Sequence, residues 1–417
     1  MARLNTAVIV AALCGVTFSA RPATAYSVLA HEANVDALWD GAIKSLLLRR
    51  FPRSDAAQLN EARAYAYGGS VIQDLGYYPF GSHFFSNLLH YVRTGDFVET
   101  LVRDSQGVEE YAFALGALAH YAADNTGHPS AVNLAVPVMF PKLRAKYGNA
   151  VTYMQSPASH VLVEFSFDVV QVAGGAYAPE AFHSFIGFKV ATPLLERAFH
   201  DTYSIEMKDV FFNEDLAIST YRRAISQTIP QITKIAWTSK QDEIARLMPG
   251  VQREKFVFTL TRRQYEQEFG ADYRKPGLFD RFLGVLYRLL PKIGPLRPLS
   301  FKAPTPQAEA LFLESLKETR ERYRKDLDAL GAGRLNLANT DFDTGKPSVH
   351  GEYALADEAY AELLDKLAGR KFADVPADLR NNINRYYSAP GPVAGIDRKE
   401  RRRAEKIKQQ LAALNAP

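Results

Sequence analysis

Cysteine is almost missing from this chain. Of 417 residues only Cys14 carries a thiol, and it lies in an N-terminal stretch that reads as a leader. A mature protein without cysteine has no disulfides, so its core or a bound metal must hold it together. Strong net charge is missing too: 50 basic against 46 acidic residues leave +4, and a balance so even names no partner. No internal repeat and no low-complexity segment is present. The apolar run from Ala7 to Val16 is too short for an ordinary membrane span.

What is there is a chain 47% apolar and 23% charged, globular and long enough for two domains. Residues 1–25 have the parts of a secretory signal. Arg3 is a short basic start, Ala7 to Val16 the apolar centre, and Ala23-Thr24-Ala25 a small-x-small cleavage site. Leu13 ahead of Cys14 is a poor match to lipoprotein processing. Cleavage after Ala25 predicts a secreted or periplasmic protein that begins at Tyr26. His31, five residues on, is then within reach of any ion bound by the new α-amine and first carbonyl.

The stretch from Gly116 to Pro129 organises the rest. Ala112, Leu115, Ala119 and Ala122 keep helical spacing, so the helix is buried and its polar residues face something. His120 and Asp124 are i and i+4 and share one face. Gly127 and Pro129 are expected to break the helix, leaving His128 at its end. The segment from Pro157 repeats the pattern, with His160 and Glu164 again four apart. Asp74 stands just before the loop Gly76 to Gly81, where a carboxylate can turn into a cleft. Five of the nine histidines (His31, His90, His120, His128 and His160) fall on apolar helix faces or at helix ends near carboxylates. Nitrogen with carboxylate oxygen is a donor set that suits zinc.

Elsewhere the periodicity predicts helices over Val35–Leu48, from Ser54-Asp55 towards Asp74, and over Phe84–Val92. Thr94-Gly95-Asp96 is read as a stop, with Asp96 capping the next helix.

These residues resemble the zinc-dependent phospholipase C and P1/S1 nuclease superfamily, an all-α fold with three clustered zinc ions. That family begins at an aromatic residue whose amine and carbonyl bind zinc. Tyr26, His31, Asp74, His90, His120, Asp124, His128, His160 and Glu164 fill its ligand order here. The resemblance implies one zinc on Asp74, His90, His120 and Asp124. It implies a second on His128, His160 and Glu164, and a third on Tyr26 and His31 with Asp124 bridging. Three features depart from the pattern. Tyr26 replaces Trp, only three residues separate Asp124 from His128, and His83 competes with His90 for the place after Asp74. Glu164 in the last pair leans towards the phospholipase C branch.

A zinc trio suits phosphate ester hydrolysis, with two ions clamping the phosphate and lowering the pKa of water. Asp74 is the candidate for orienting or deprotonating that water. Phospholipid head groups are the first choice of substrate. A nuclease or nucleotidase, and a non-catalytic binding protein stabilised by zinc, are the alternatives. Tyr77, Tyr78, Phe80, Phe84 and Phe85 could line an acyl- or base-accepting cleft or simply pack the core.

The expected organisation is a signal (1–25), a zinc-binding domain (26–245) and a helical C-terminal domain (246–417). In the last, Leu278 to Leu290 is a basic apolar segment that could touch a membrane surface or form core. Thr305–Leu330, Ala354–Leu367 and Arg398–Lys408 read as helices. Asp341-x-Asp343-x-Gly345 with Glu352 echoes a calcium loop, but Lys346 occupies the position that demands glycine. His183, His200 and His350 are read as structural.

Overall fold

A helix that is apolar on every side must be surrounded, and Val108–Gly127 is such a helix. Every residue from Ala112 to Asp124 is buried. The computed structural model describes residues 27–174, 188–225, 302–389 and 398–416, with isolated positions between 237 and 253. Among them regular structure is helical apart from one two-residue hairpin, and the fold is all-α. No described helix is long and apolar enough to cross a membrane.

Among the described residues the helices Val28–Leu38, Lys44–Arg50, Ala56–Val71, Thr94–Asp104 and Pro306–Gly331 pack directly on the central one. The closest approach is glycine against backbone. A Cβ added at Gly116 would lie 1.9 Å from the Ala66 carbonyl oxygen, and one at Gly69 would lie 1.9 Å from that of Phe113. Only residues without a side chain allow this crossing. It lays the 56–71 helix along the central one.

The 306–331 helix starts where the sequence predicts. Thr305 caps it, its hydroxyl accepting from Ala308 N–H at 3.2 Å, and Pro306 fills its first position. Tyr323 from this helix donates to the Leu115 carbonyl at 2.8 Å. Phe312 stacks on Phe167 of the Pro157–Gly174 helix. One continuous apolar core therefore runs from Val28 to Leu414. The expected boundary at 245/246 falls where only isolated positions are described. The basic segment 278–290, the residues 1–26 and His183 lie outside the described residues.

Several local expectations are corrected. Gly127 and Pro129 do not end the helical path: the chain passes through a π-helical turn, His128–Val132, into Asn133–Met139. Pro129 has no N–H to give the carbonyl one turn back, and the wider turn absorbs that loss. Asp96 is no cap. It lies inside the Thr94–Asp104 helix and accepts from Arg93 Nε at 2.7 Å, while Arg93 takes the cap position at φ 51°. The free N–H groups of Gly95 and Asp96 donate instead to Asn339 Oδ1, both at 3.0 Å. The first helix begins at Val28 rather than Val35, because Asp168 accepts from Leu29 N–H (2.9 Å) and Ala30 N–H (3.0 Å). Both helix starts are thus capped by residues distant in sequence.

Candidate metal centre

Four helices and a short 3-10 turn bring the expected residues together. His120, Asp124 and His128 follow at i, i+4 and i+8 along one face of the central helix and into the π turn. Asp74 sits in the 3-10 turn Ile72–Tyr77, and His90 in the last turn of His83–Tyr91. His31 comes from Val28–Leu38, and His160 with Glu164 from Pro157–Gly174. All eight side chains are buried. His83, the rival of His90, is exposed at the start of its helix.

The spacing of these groups is informative. His31 Nε2 lies 3.4 Å from Asp124 Oδ1, and His120 Nε2 lies 3.1 Å from Asp124 Oδ2. His90 Nε2 is 3.4 Å from both Asp74 Oδ1 and Asp124 Oδ2. His160 Nδ1 and Glu164 Oε1 stand 3.7 Å apart. Most of these separations are too long for hydrogen bonds. Two donors each about 2.0–2.1 Å from one tetrahedral zinc would sit about 3.3–3.4 Å apart. Both oxygens of Asp74 and of Asp124 lack a hydrogen-bond partner, as do His90 Nε2, His120 Nε2, both His128 nitrogens and His160 Nδ1. Buried polar atoms are seldom left so, and a cation is the partner this arrangement suits.

The opposite ring nitrogens are fixed. His90 Nδ1 meets the Ser86 carbonyl at 2.8 Å, His120 Nδ1 the Ser70 carbonyl at 2.9 Å and His160 Nε2 the Val151 carbonyl at 2.5 Å. A carbonyl can only accept, so each ring donates there and turns its other nitrogen to the centre. The His31 and His120 rings stack at 4.3 Å. Three donor groups could each hold an ion: His31–His120–Asp124, Asp74–His90–His120, and His128–His160–Glu164.

Electrostatics agree with the geometry. Burial, aided by His120, pushes His31 down to about 3, and burial with His128 does the same to His160. Both rings are neutral, with lone pairs available. His90 behaves in the opposite way: burial disfavours its charge, yet Asp124 and Asp74 outweigh burial and hold it up to about 10. Burial raises Asp74 to about 6 against the opposing influence of the neighbouring His90 and His120. Asp124 is held well below the carboxylate range, burial being outweighed by His120 and His90. Without a metal, protons on histidine balance the carboxylates; a cation would replace them.

Residues 31–213 match the family model described as zinc dependent phospholipase C. Over that segment the chain is similar to the zinc-dependent phospholipase C family. The segment that carries this family's signature includes all eight described donors, and neither a curated protein nor a solved structure matches the chain.

Tyr26 lies outside the described residues. His200 is half exposed beside Asp201 and Glu206, and His350 packs near Tyr386 and Tyr387. Of the loop aromatics, Tyr77, Phe84 and Phe85 are buried in core, whereas Phe80 is exposed. One further buried carboxylate, which no ligand-like spacing marks in the sequence, lies beside these donors. Asp343, set aside with the calcium-like loop, is buried with Oδ1 3.3 Å from His128 Nε2. Asp341 braces the turn instead, accepting from Asp343 N–H at 2.8 Å and the Thr344 hydroxyl at 2.8 Å.

Proposed function

We propose that the protein is an exported zinc-dependent hydrolase of phosphoric esters, of phospholipase C type. It would cleave a phospholipid to diacylglycerol and a phosphorylated head group. One observation carries the reading: nitrogen and carboxylate donors from separate helices converge, buried, at separations suited to zinc, and Asp74, His90, His120, Asp124 and His128 each bring atoms without a hydrogen-bond partner. The match to the zinc-dependent phospholipase C family over residues 31–213 supports it.

Asp74, His90, His120 and Asp124 would hold one ion, and His128, His160 and Glu164 a second. His31 and Asp124, with Tyr26 once the leader is removed, would hold a third. Bound zinc supplies Lewis acidity, drawing charge from phosphate oxygens and making water acidic near neutral pH. The carbonyls of Ser70, Ser86 and Val151 keep three rings aimed inward. Asp74 is proposed to orient the attacking water and take its proton, because burial lifts its basicity towards neutrality and both its oxygens lack partners. As water bonds to phosphorus, the bond to the glycerol oxygen breaks and that oxygen receives a proton.

The test uses the chain purified after export. Zinc above one equivalent, with phosphocholine or phosphoethanolamine released from lipid vesicles, is the expected result. His120→Ala and Asp124→Ala should abolish turnover and lower both metal content and melting temperature. Hydrolysis confined to single-stranded nucleic acid would select a nuclease. Zinc binding with no hydrolysis of any phosphate ester would select a zinc-stabilised binding protein.

A further inference from the structure

Asp343 belongs to a part of the chain that the family match does not reach. It stands at the tip of the hairpin that pairs Thr340 with Pro347 and Asp341 with Lys346. Gly345, at φ 68°, lets the turn close against the central helix, where an added Cβ would lie 2.9 Å from the Asn125 carbonyl oxygen. The hairpin is tied to the very helices that bear the metal donors. Phe342 N–H donates to the His90 carbonyl at 3.1 Å, and Asn133 Nδ2 to the Asp343 carbonyl at 2.7 Å. Thr340 Oγ1 donates to Asn125 Oδ1 at 2.6 Å.

The Asp343 carboxylate is divided in its bonding. Oδ2 accepts from the Tyr91 hydroxyl at 2.9 Å and the Tyr353 hydroxyl at 2.5 Å. Oδ1 has no hydrogen-bond partner, although the residue is fully buried, and it faces His128 Nε2 at 3.3 Å. That nitrogen has no hydrogen-bond partner either. The separation is the one two donors to a single zinc would keep. Two tyrosines hold one oxygen so that the other points at the His128–His160–Glu164 group.

We propose that Asp343 is a further ligand of the ion held by His128, His160 and Glu164, delivered by the C-terminal hairpin. The proposal rests on the zinc reading of the centre. Charge favours it: Glu164 alone leaves a buried divalent ion with one uncompensated positive charge, and Asp343 brings the group to neutrality. A second carboxylate also ties the C-terminal helices to the metal, so that binding the ion stabilises both parts together.

The test measures metal rather than turnover. The exported chain and its Asp343→Asn, Gly345→Ala and Tyr353→Phe variants are dialysed against graded zinc buffers, and bound zinc is counted. Asp343→Asn keeps size and acceptor oxygen but loses charge; it should weaken one ion roughly 10–100-fold and leave the others unchanged. Gly345→Ala displaces the hairpin with every ligand intact and should weaken the same ion, which covers the case in which Asp343→Asn fails to fold. Tyr353→Phe removes one of the two hydroxyls that hold Oδ2 and should weaken the same ion, less than Asp343→Asn does. Superimposable zinc titrations for wild type and Asp343→Asn would overturn the proposal. A wild-type chain that binds no zinc overturns the hydrolase reading and this one with it. Full zinc without hydrolysis defeats only the hydrolase reading, and loss of one ion in Asp343→Asn would still support the ligand.

Discussion

Replacing Gly116 by alanine tests how the crossing of two helices sets His120, a proposed metal ligand. By intrinsic propensity the change should help, since alanine is favoured over glycine in a helix by about 1 kcal/mol. The crossing predicts the opposite sign. The new Cβ would stand 1.9 Å from the Ala66 carbonyl oxygen and 2.8 Å from Ser70 N. Such contacts need roughly 3.0–3.4 Å, so the 56–71 and 108–127 helices must part by about 1.1–1.5 Å. Overpacking of this kind costs about 1–3 kcal/mol, against which the propensity gain is the smaller effect. The displacement also reaches the centre, because His120 lies one turn beyond Gly116. Its ring is held by the Ser70 carbonyl at 2.9 Å, a bond that an added ångström would break. Losing such an orienting bond weakens metal affinity roughly 10–100-fold. Urea unfolding of metal-free and zinc-loaded protein separates the two effects, with a zinc titration alongside. Gly41→Ala is the control, since its Cβ would meet only Arg324 Nη2 at 3.5 Å. A Gly116→Ala protein as stable as wild type, with unchanged zinc affinity, would refute the reasoning.

Asp168→Ala removes the remote cap of the 28–38 helix and should cost about 1–3 kcal/mol in urea unfolding; a loss below 0.5 kcal/mol, on the order of an ordinary surface change, would deny the cap its role. Burial, with Glu196 and Asp215 nearby, raises Glu214 to about 7 from 4.5. Between those values the folded state keeps a proton that the unfolded chain has lost, so stability falls as pH rises through the window and the penalty persists above it. Glu214→Gln should therefore stabilise the protein at pH 8 and not at pH 4, and an equal effect at both pH values would contradict this. Removal of the leader after Ala25, as proposed, would give Tyr26 a free α-amine of pKa ~8, and an added Met or tag turns it into an amide that cannot coordinate through nitrogen. That form should lose one zinc and most turnover while the fold survives, and identical zinc content in processed and extended chains would take Tyr26 out of the centre.

The sequence by itself determined the helices and the chemistry carried on their faces. Spacing of four puts His120 with Asp124 and His160 with Glu164 whatever the packing, because a helix of 3.6 residues per turn fixes that geometry locally. The Asp55 and Thr305 caps are local for the same reason, each accepting from an N–H three residues on. Tertiary structure decided what depends on contacts between distant segments. Asp168 and Asn339 cap helices more than a hundred residues away, and no local pattern marks them. Asp343 reads as a turn residue in the sequence, and only the packing of the 340–347 hairpin against the 83–91 and 108–127 helices brings it to His128. Pro129 looked like a stop, since the π turn that accommodates it forms within the packed surroundings of the centre. Helical periodicity is written in neighbours along the chain; the closing of a buried centre is written in which backbones can touch, and that is settled by glycines such as Gly116 and Gly345 meeting carbonyls from elsewhere.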